Sequence, residues 1–313
     1  MSEEKMIATR ESFGEALANL DNEKVVVLDA DLSNATKTDK FAEKYPNRFF
    51  QMGIAEADMI GTAAGLATCG KIPVASTFAA FATGRVYDQI RCSVAYPNLK
   101  VKICGTHGGI TVGEDGATHQ MLEDINLMRG LPNMTVIVPS DDISTKALVK
   151  KMIDFDGPVY MRLSRAKTPV IYTEDAEFKI GKGIQIGEGK DATLFAMGDV
   201  LAEALKAQEK LLKLNIAIRV VDMHTIKPID EDLIVKCAKE TGMLFSVEDH
   251  NIIGGLGSAV AEVLCEQYPK KLFRLGINDT FGKSGSASAL LKYYKLDSDG
   301  IVEIIKNKLE FKD

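Results

Sequence analysis

The segment with the clearest chemical potential lies between positions 106 and 120. Thr106 and His107 are followed shortly by VGEDGATHQ, which includes Asp115 and His119. Two of the four histidines of the chain therefore lie here, next to carboxylates and turn-forming glycines. Imidazoles exchange protons near neutral pH, and carboxylates accept hydrogen bonds from hydroxyl groups. A solvated turn needs only the Asp and the Gly, so the added histidines favour a functional, ligand-binding role for this segment.

A second candidate is Glu56, which follows Gly53, Ile54 and Ala55 at the start of a predicted helix rich in Ala and Gly. A carboxylate in the first turn of a helix ordinarily complements the helix dipole. By its position alone, Glu56 therefore does not indicate catalysis, and a role for it has to come from its neighbours.

A third candidate is the run Arg162-Leu163-Ser164-Arg165, which follows a predicted strand. An arginine at the carboxyl end of a strand is well placed to hold a phosphate by paired hydrogen bonds. On local grounds a surface arginine is an equally good interpretation.

Two glycine-containing segments look like nucleotide-binding motifs but do not match them. Gly282, Lys283 and Ser284 resemble the end of a phosphate-binding P-loop, but Gly276 lies one residue too far upstream for the required spacing. The glycines of residues 254–257 lack the full spacing of a dinucleotide fingerprint, so close packing of a helix on a strand is the better interpretation.

The elements that must position these residues alternate along the chain. Apolar runs predict buried strands at 25–28, 101–104, 135–138, 158–161, 192–196, 216–221 and 244–247. Helical patterns cover 55–69 and 119–129, and a Gly-rich connector with a small predicted hairpin occupies 167–191. Strands that alternate with helices imply parallel sheets with helices on their faces. We therefore predict an α/β protein of two domains, at residues 1–178 and 179–313.

Residues 61–84 are unusually dense in small side chains, with Gly61 and Gly65 four positions apart. Small residues at helical spacing allow two backbones to approach closely. The pattern is compatible with a tightly packed internal helix and equally with an interface between subunits.

Bulk properties exclude several classes of protein. A net charge of -6 over 313 residues argues against a dedicated nucleic-acid binder, which carries a basic face. The five cysteines form no C-x-x-C pair, which argues against a zinc site or a disulfide framework. The start MSEEKMIATR lacks the apolar core of a signal peptide, and no apolar run is long enough to span a bilayer. We therefore expect a cytoplasmic protein without membrane or nucleic-acid partners.

In this order, the motifs resemble the C-terminal half of transketolase, and most closely the separate C-terminal subunit of split transketolases. The resemblance covers nearly the whole chain, and GEDGATHQ with a preceding Thr-His is its most specific part. The other matching segments are GIAEADMIGTAAGLA, ASTFAAFATGRVYDQIR, LPNMTVIVPSD, GPVYMRLSRAKTPVI, SVEDHNIIGGLGSAVAE and FGKSG. The resemblance implies a pyrimidine-binding domain of the thiamine-diphosphate type, followed by a smaller, mostly parallel C-terminal domain.

The resemblance also implies how the cofactor, thiamine diphosphate, is held. Glu56 matches the glutamate that hydrogen-bonds the aminopyrimidine ring and promotes the tautomer that activates the cofactor. Phe78 and Phe81 match aromatic residues that pack beside that ring. The third aromatic residue of the family has no clear counterpart, because Gly84 lies near its place and Tyr87 is a possible substitute.

Substrate contacts follow from the same resemblance. His107, Asp115 and His119 match residues that contact sugar hydroxyl groups, the two imidazoles as proton-transfer groups. Asp115 would recognise the hydroxyl next to the acceptor aldehyde by a hydrogen bond. A phosphate group would be held by Arg165, with Arg10 and Ser33 as further candidates.

The resemblance predicts transfer of a two-carbon ketol unit between sugar phosphates, as in the pentose phosphate pathway, and it also predicts a partner. Enzymes of this class hold the cofactor's diphosphate and its metal with a Gly-Asp-Gly element that an Asn follows. Here the nearest sequence is Gly198-Asp199-Val200, in the wrong domain. A diphosphate needs its cation to balance its charge. We therefore expect a separate N-terminal subunit that holds Mg2+ or Ca2+, no metal ligands in this chain, and a heterotetramer with two copies of each subunit, in which this chain also self-associates.

Alternative functions stay open at this point. The beta subunit of 2-oxoacid dehydrogenases and deoxyxylulose phosphate synthase share the cofactor class, and a non-catalytic α/β regulatory or structural protein belongs to another class. GEDGATHQ with His107 and Arg165 favours ketol transfer over the first two. A relative that had lost its chemistry should lack at least one member of the set Glu56, His107, Asp115, His119 and Arg165, and all five are present.

Overall fold

The computed structural model describes residues 5–310. The strands are β1 (Met6–Ala8), β2 (Val25–Asp29), β3 (Phe49–Gln51), β4 (Ile72–Phe78), β5 (Lys102–Thr106), β6 (Thr135–Ile137), β7 (Val159–Arg162), β8 (Lys167–Pro169), β9 (Ile184–Ile186), β10 (Ala192–Ala196), β11 (Ile218–Asp222), β12 (Thr225–Lys227), β13 (Met243–Asn251) and β14 (Leu272–Ile277). The α-helices are α1 (Thr9–Ala18), α2 (Ser33–Thr36), α3 (Asp39–Lys44), α4 (Glu56–Thr68), α5 (Tyr87–Gln89), α6 (Asp124–Arg129), α7 (Asp142–Asp154), α8 (Leu201–Leu212), α9 (Glu231–Glu240), α10 (Leu256–Gln267), α11 (Ala287–Tyr293) and α12 (Ser298–Glu310). None of the helices in this part of the chain has the length and apolar character that crossing a membrane requires.

The first sheet is covered by helices on both faces. Within residues 5–310 it has seven strands in the order β12-β6-β7-β5-β4-β2-β3, and all but β12 are parallel. Successive side chains of a strand point to opposite faces. Accordingly, Val25 and Val27 pack with Phe13 of α1, whereas Val26 and Leu28 pack with Met59 of α4. Because both faces are buried, these strands are apolar throughout rather than alternating.

The second sheet repeats the pattern on a smaller scale. In the described part of the chain it has five strands in the order β14-β13-β10-β11-β9, with β9 antiparallel to β11. Leu194 and Ala196 of β10 face a cluster that also contains Ile110 and Leu122 of the first domain, while Phe195 belongs to the cluster of Met59. Apolar clusters therefore run through both domains. The α/β architecture predicted from the sequence is confirmed, and the boundary after residue 178 stays a prediction.

Two predicted elements differ in the structure, and one strand was not predicted. The helix expected at 119–129 begins only at Asp124, because the preceding residues bind the second domain: Gln120 Nε2 donates to the carbonyl of Lys283 (2.8 Å) and Asn251 N donates to that of Leu122 (2.9 Å). The expected hairpin at 167–191 does not form; β8 pairs with β1, and β9 with β11. The strand that was not predicted is β12, which leaves the second domain and pairs antiparallel with β6 of the first.

The small residues of 61–84 divide between two elements. Residues 72–78 form β4, which is buried along its whole length. Gly61 and Gly65 lie on the exposed side of α4, and a side chain added at either would meet no atom of the described chain within 4 Å. The interpretation as a tightly packed internal helix is therefore wrong for these two glycines. An interface with another subunit stays a prediction.

Buried polar groups join the domains behind β7. Arg162 is 5% exposed, and its Nε donates to Asp124 Oδ2 (2.9 Å), which also accepts from Tyr160 Oη (2.6 Å). Arg162 Nη2 donates to the carbonyl oxygen of Asp249 in β13 (2.8 Å). Arg162 is therefore neither a surface arginine nor a phosphate ligand, the two alternatives considered for the run 162–165. It is an internal cation that ties the domains together.

Replacing this cation tests its contribution to stability. Arg162→Met leaves the carboxylate of Asp124 buried without its counter-charge, so we expect the free energy of unfolding to fall by about 3–5 kcal/mol. Urea unfolding followed by circular dichroism measures the loss. The control is Lys40→Met, which breaks the half-exposed pair of Lys40 with Glu15 and should cost about 0–1 kcal/mol. Equal midpoints for the two variants would contradict the assignment.

Candidate active site

The site lies where parallel strands of the first sheet end. Phe78 and Thr106 are the last residues of β4 and β5 and are paired in register. His107 follows with φ of +60°, a left-handed conformation that few non-glycine residues adopt. This turn brings the His107 ring against Phe78, with ring centroids 3.8 Å apart. Strained backbone of this kind is concentrated at functional sites.

Two arginines reach the same place from opposite ends of the first domain. The ribbon of β1 and β8 pairs Ala8 with Lys167, and Thr9 Oγ1 accepts from the backbone amide of Ser164 (2.8 Å). Arg10 and Arg165 each follow these contacts by one position. The ribbon therefore brings together two cations that are far apart in the sequence.

Each arginine is anchored at the site. Arg10 Nη1 donates to the carbonyl of Ala35 (2.8 Å) and lies 3.3 Å from His107 Nε2. Arg165 Nη1 donates to the carbonyl of Val112 (2.6 Å) and to Asp115 Oδ2 (3.2 Å). Two guanidinium groups around one imidazole form a cationic pocket that suits an anionic ligand.

Ser33 is close in sequence to the residue that anchors Arg10. It begins α2, two positions before Ala35, which binds Arg10. The loop before this helix is held by buried Asp29, whose Oδ1 accepts from Leu32 N (2.7 Å) and whose Oδ2 accepts from Thr36 Oγ1 (2.7 Å). Ser33 is half-buried, and its role in phosphate binding stays a prediction.

The contacts of His107 fix its protonation. Burial lowers the pKa of His107 to about 3, and the positive charges of Arg10, Arg165 and His119 add to the shift. The ring is therefore neutral at physiological pH. Since an arginine only donates, Nε2 is the acceptor that faces Arg10, and Nδ1 carries the proton and donates to Thr106 Oγ1 (2.8 Å). His107 thus presents an unprotonated acceptor nitrogen to the pocket.

Glu56 stands at the other end of a row of side chains. It is the first residue of α4, is 4% exposed, and accepts from Arg85 Nη1 at Oε1 (2.7 Å). The Arg85 guanidinium lies over the ring of Phe81, 4.2 Å from its centroid. Phe81 stacks with Phe78 at a centroid distance of 5.9 Å. Contacts therefore run without a break from the carboxylate of Glu56 to the ring of His107.

The sequence did not predict Arg85. It offered only Gly84 and Tyr87 as further residues beside Phe78 and Phe81. Residues 80–84 form a π-helical turn, which contains one more residue than an α-helical turn. Counting at α-helical spacing from Phe78 therefore does not identify Arg85 as the residue that faces Glu56. Tyr87 packs against the apolar core instead.

The loop after His107 completes the site and is backed by the second domain. His119 stands edge-on to Phe81 at a centroid distance of 5.7 Å, while Asp115 is exposed beside Arg165. Gly116 packs against Ser284, and Gly282 packs against Gln120. The segment around Gly282 that resembles a P-loop therefore lies behind the candidate site.

The predicted site residues thus meet in one region. Direct contacts run from Glu56 through Arg85, Phe81 and Phe78 to His107 and Arg10, and His119 stands beside Phe81. Arg165 and Asp115 form a separate pair in the loop after His107. The individual roles of all these residues stay predictions.

Comparison with known proteins identifies the family. Residues 5–170 match the family described as "Transketolase, pyrimidine binding domain", and residues 181–301 match "Transketolase, C-terminal domain". The chain belongs to the transketolase family. The domain boundary predicted after residue 178 falls in the segment between the two matches.

Individual relatives agree with this assignment. The chain is 52% identical to a "Putative transketolase C-terminal section" of Methanocaldococcus jannaschii. The match extends over 306 residues, which is 96% of each protein. The chain is 42% identical to a 6-deoxy-6-sulfo-D-fructose transketolase subunit of a Clostridium species, over 93% of this chain and 91% of that protein. A solved structure described as "Split gene transketolase, inactive beta4 tetramer" superposes with a TM-score of 0.91 at 51% identity, over 98% of this chain and 100% of that one. The predicted resemblance to the C-terminal subunit of split transketolases is confirmed.

The protonation of His107 is directly measurable in the isolated transketolase chain. We expect its ring nitrogens to show one proton, on Nδ1, and no titration between pH 5 and 8, because burial and two arginines oppose a charge. A pKa below the ordinary value of 6.5 means that the unfolded chain binds this proton more readily, so this ring reduces stability as the pH falls below about 6.5.

Nitrogen NMR of the labelled histidine rings tests this expectation. The signal is assigned by its absence from the His107→Gln variant, and Thr106→Val should release the ring to sample the other tautomer. A midpoint near 6.5 for His107 would refute the neutral assignment.

Proposed function

We propose that this chain is the C-terminal subunit of a split transketolase. With a separate N-terminal subunit and thiamine diphosphate, it transfers a two-carbon ketol unit from a ketose phosphate to an aldose phosphate. The observation that carries the proposal is the unbroken row of contacts from Glu56 to His107, with Arg10 and Arg165 at its far end. The proposed cofactor-binding half of the site, at Glu56, is therefore adjacent to the proposed anion-binding half, at the arginines.

The residues at the Glu56 end fit an aminopyrimidine ring. Such a ring needs a buried carboxylate for its nitrogen and an aromatic face beside it. The guanidinium of Arg85 is also planar and a hydrogen-bond donor, and it makes those two contacts, to Glu56 and to Phe81. We assign Glu56, Phe78 and Phe81 to the ring, for which Arg85 has to release Oε1. When bound, thiamine diphosphate supplies a nucleophilic carbon and accepts the electrons of the broken carbon–carbon bond.

The residues at the His107 end act on the sugar. The neutral ring of His107 accepts a hydroxyl proton at Nε2 once a substrate hydroxyl displaces Arg10 from it. His119, edge-on to Phe81, is the second proton-transfer group on the same side of the aromatic pair. Asp115 lies in the exposed loop, where its carboxylate accepts from the hydroxyl next to the acceptor aldehyde.

An anionic end group of the sugar binds at the arginines. Arg10 Nε is buried and has no hydrogen-bond partner among residues 5–310, which leaves a donor for such a group. Arg165 and Ser33 complete the set. Paired guanidinium donors recognise a phosphate and a sulfonate alike. Because one relative is named for 6-deoxy-6-sulfo-D-fructose, a sulfonated ketose is the second candidate donor.

A partner subunit is needed because this chain lacks the element that would hold the metal and the diphosphate. The Gly-Asp-Gly element that would hold a metal and diphosphate is missing from the sequence, and Asp199 accepts instead from Thr111 Oγ1 (2.7 Å). We therefore assign the Mg2+ or Ca2+ and the diphosphate to the N-terminal subunit, in a heterotetramer of two copies of each. The name "inactive beta4 tetramer" of one relative supports self-association without activity for the isolated chain.

Mixing the subunits tests the function. The purified chain, its cognate N-terminal subunit, thiamine diphosphate and magnesium are assayed with xylulose 5-phosphate and ribose 5-phosphate. We expect sedoheptulose 7-phosphate only from the mixture, and a parallel assay with 6-deoxy-6-sulfo-D-fructose as donor tests the second candidate. Turnover by this chain alone would refute the need for a partner.

Glu56→Gln is the matched variant for the cofactor role. The amide has nearly the same shape but a hydrogen-bond donor in place of one acceptor oxygen, so we expect at least about a hundredfold loss of kcat. Assembly with the partner, measured by sedimentation, should be unchanged. Activity close to wild type would remove Glu56 from the mechanism.

Arg165→Met tests the anion site. Losing one charge-assisted contact should raise the KM for a phosphorylated ketose by roughly ten- to a hundredfold, with little change in kcat. An unphosphorylated ketose donor should be affected much less, because it makes no such contact. Arg274→Met, whose guanidinium binds the carbonyl of Ile252 in the second domain, is the control. Equal effects of Arg165→Met on both donors would exclude Arg165 as the anion ligand.

A further inference from the structure

The loop that carries Asp115 and His119 has little structure of its own. It contains two short 3-10 turns, Ile110–Val112 and Gly116–Thr118. Gly109, Gly113 and Gly116 all have positive φ. Glycine loses more conformational freedom on ordering than any other residue. This loop therefore needs to be held from outside to keep one shape.

One carboxylate of the second domain makes the holding contact. Asp249 lies in β13, is 1% exposed, and accepts from the backbone amide of Ile110 at Oδ1 (2.8 Å) and from that of Thr111 at Oδ2 (3.3 Å). A side chain at Gly109 would collide with this carboxylate. Gly109 thus provides both the left-handed backbone and the space that this approach requires.

The surrounding charges explain why this carboxylate faces the loop. The nearest cation, Arg162, directs its Nε to Asp124 and its Nη2 to the carbonyl oxygen of Asp249, so neither bonds the carboxylate. Burial raises the pKa of Asp249, and the nearby carboxylate of Asp199 raises it further, while Arg162 lowers it. The two loop amides are therefore the principal hydrogen-bond donors to this carboxylate.

We propose that Asp249 is a positioning residue, through which the second domain holds the substrate loop of the first domain in its working shape. Asp249 touches none of the residues that we assign to the cofactor or the sugar. It acts through the backbone at 110 and 111, a few positions before Asp115 and His119. The inference deepens the proposed function and rests on it only where it refers to substrate.

Hydrogen–deuterium exchange in the isolated full-length chain tests the proposal without requiring activity. Asp249→Asn keeps the shape but loses one acceptor oxygen, so at least one loop amide loses its partner. We expect exchange at Ile110 or Thr111 to accelerate on the order of tenfold or more, with β10 still protected. Unchanged exchange at both amides would overturn the proposal.

The control is the neighbouring variant Glu248→Gln. The carboxylate of Glu248 accepts from the amides of Leu256 (2.7 Å) and Gly257 (2.9 Å) within its own domain. Exchange should therefore accelerate at one or both of these amides and stay unchanged at Ile110 and Thr111. Acceleration at the loop in this variant as well would mean that loosening of the second domain, rather than the Asp249 carboxylate, governs the loop.

A second measurement needs no variant, in case Asp249→Asn does not fold. In the wild-type chain at rising sub-denaturing urea, the amides of Ile110 and Thr111 should open together with those of β13. Protection that persists after β13 has exchanged would contradict the proposal.

In the assembled enzyme, Asp249→Asn should raise the KM for the sugar phosphate about tenfold while leaving assembly unchanged. If exchange accelerates but the wild-type mixture shows no ketol transfer, the proposed function fails and the positioning role stands. If ketol transfer occurs and the KM is unchanged, the link between the loop and the substrate is wrong.

Discussion

The parallel pairing of β4 with β5 is the constraint on which the site depends. It aligns Phe78 with Thr106 at the carboxyl edge of the sheet, so the residue after each strand enters the same space. His107 then needs a left-handed backbone to turn its ring onto Phe78. The ribbon of β1 and β8 ends at the same edge and supplies Arg10 and Arg165. Burial and these charges together keep the imidazole neutral and its Nε2 an acceptor.

The second domain contributes to the same site without supplying a residue that we assign to substrate or cofactor. Its apolar residues continue the core of the first domain, and β12 extends the first sheet. Arg162, buried behind β7, bonds across the boundary to the backbone of Asp249. The loop between His107 and Gln120 is therefore shaped by two domains at once. This dependence explains why a glycine-rich loop at the candidate site is compatible with a defined geometry.

Much of this was predictable from the sequence, because its signals are local. Continuous apolar runs identified β2, β6, β7 and β10, and the motif at 106–120 identified the family and predicted the candidate site. What failed depends on long-range or irregular structure. Arg85 faces Glu56 only because a π-helical turn changes the spacing after Phe78. The residues before Asp124 are not helical because Gln120 and Leu122 bind the second domain.

The central claim is that this chain supplies one half of a cofactor site that another chain completes. Calorimetric titration of thiamine diphosphate, with magnesium present, tests it most directly when carried out on this chain, on the cognate N-terminal subunit, and on their equimolar mixture. The account predicts saturable binding in the mixture that is at least about a hundredfold tighter than in either chain alone, since each chain offers only part of the contacts. Binding to the isolated chain with the affinity of the mixture would contradict it.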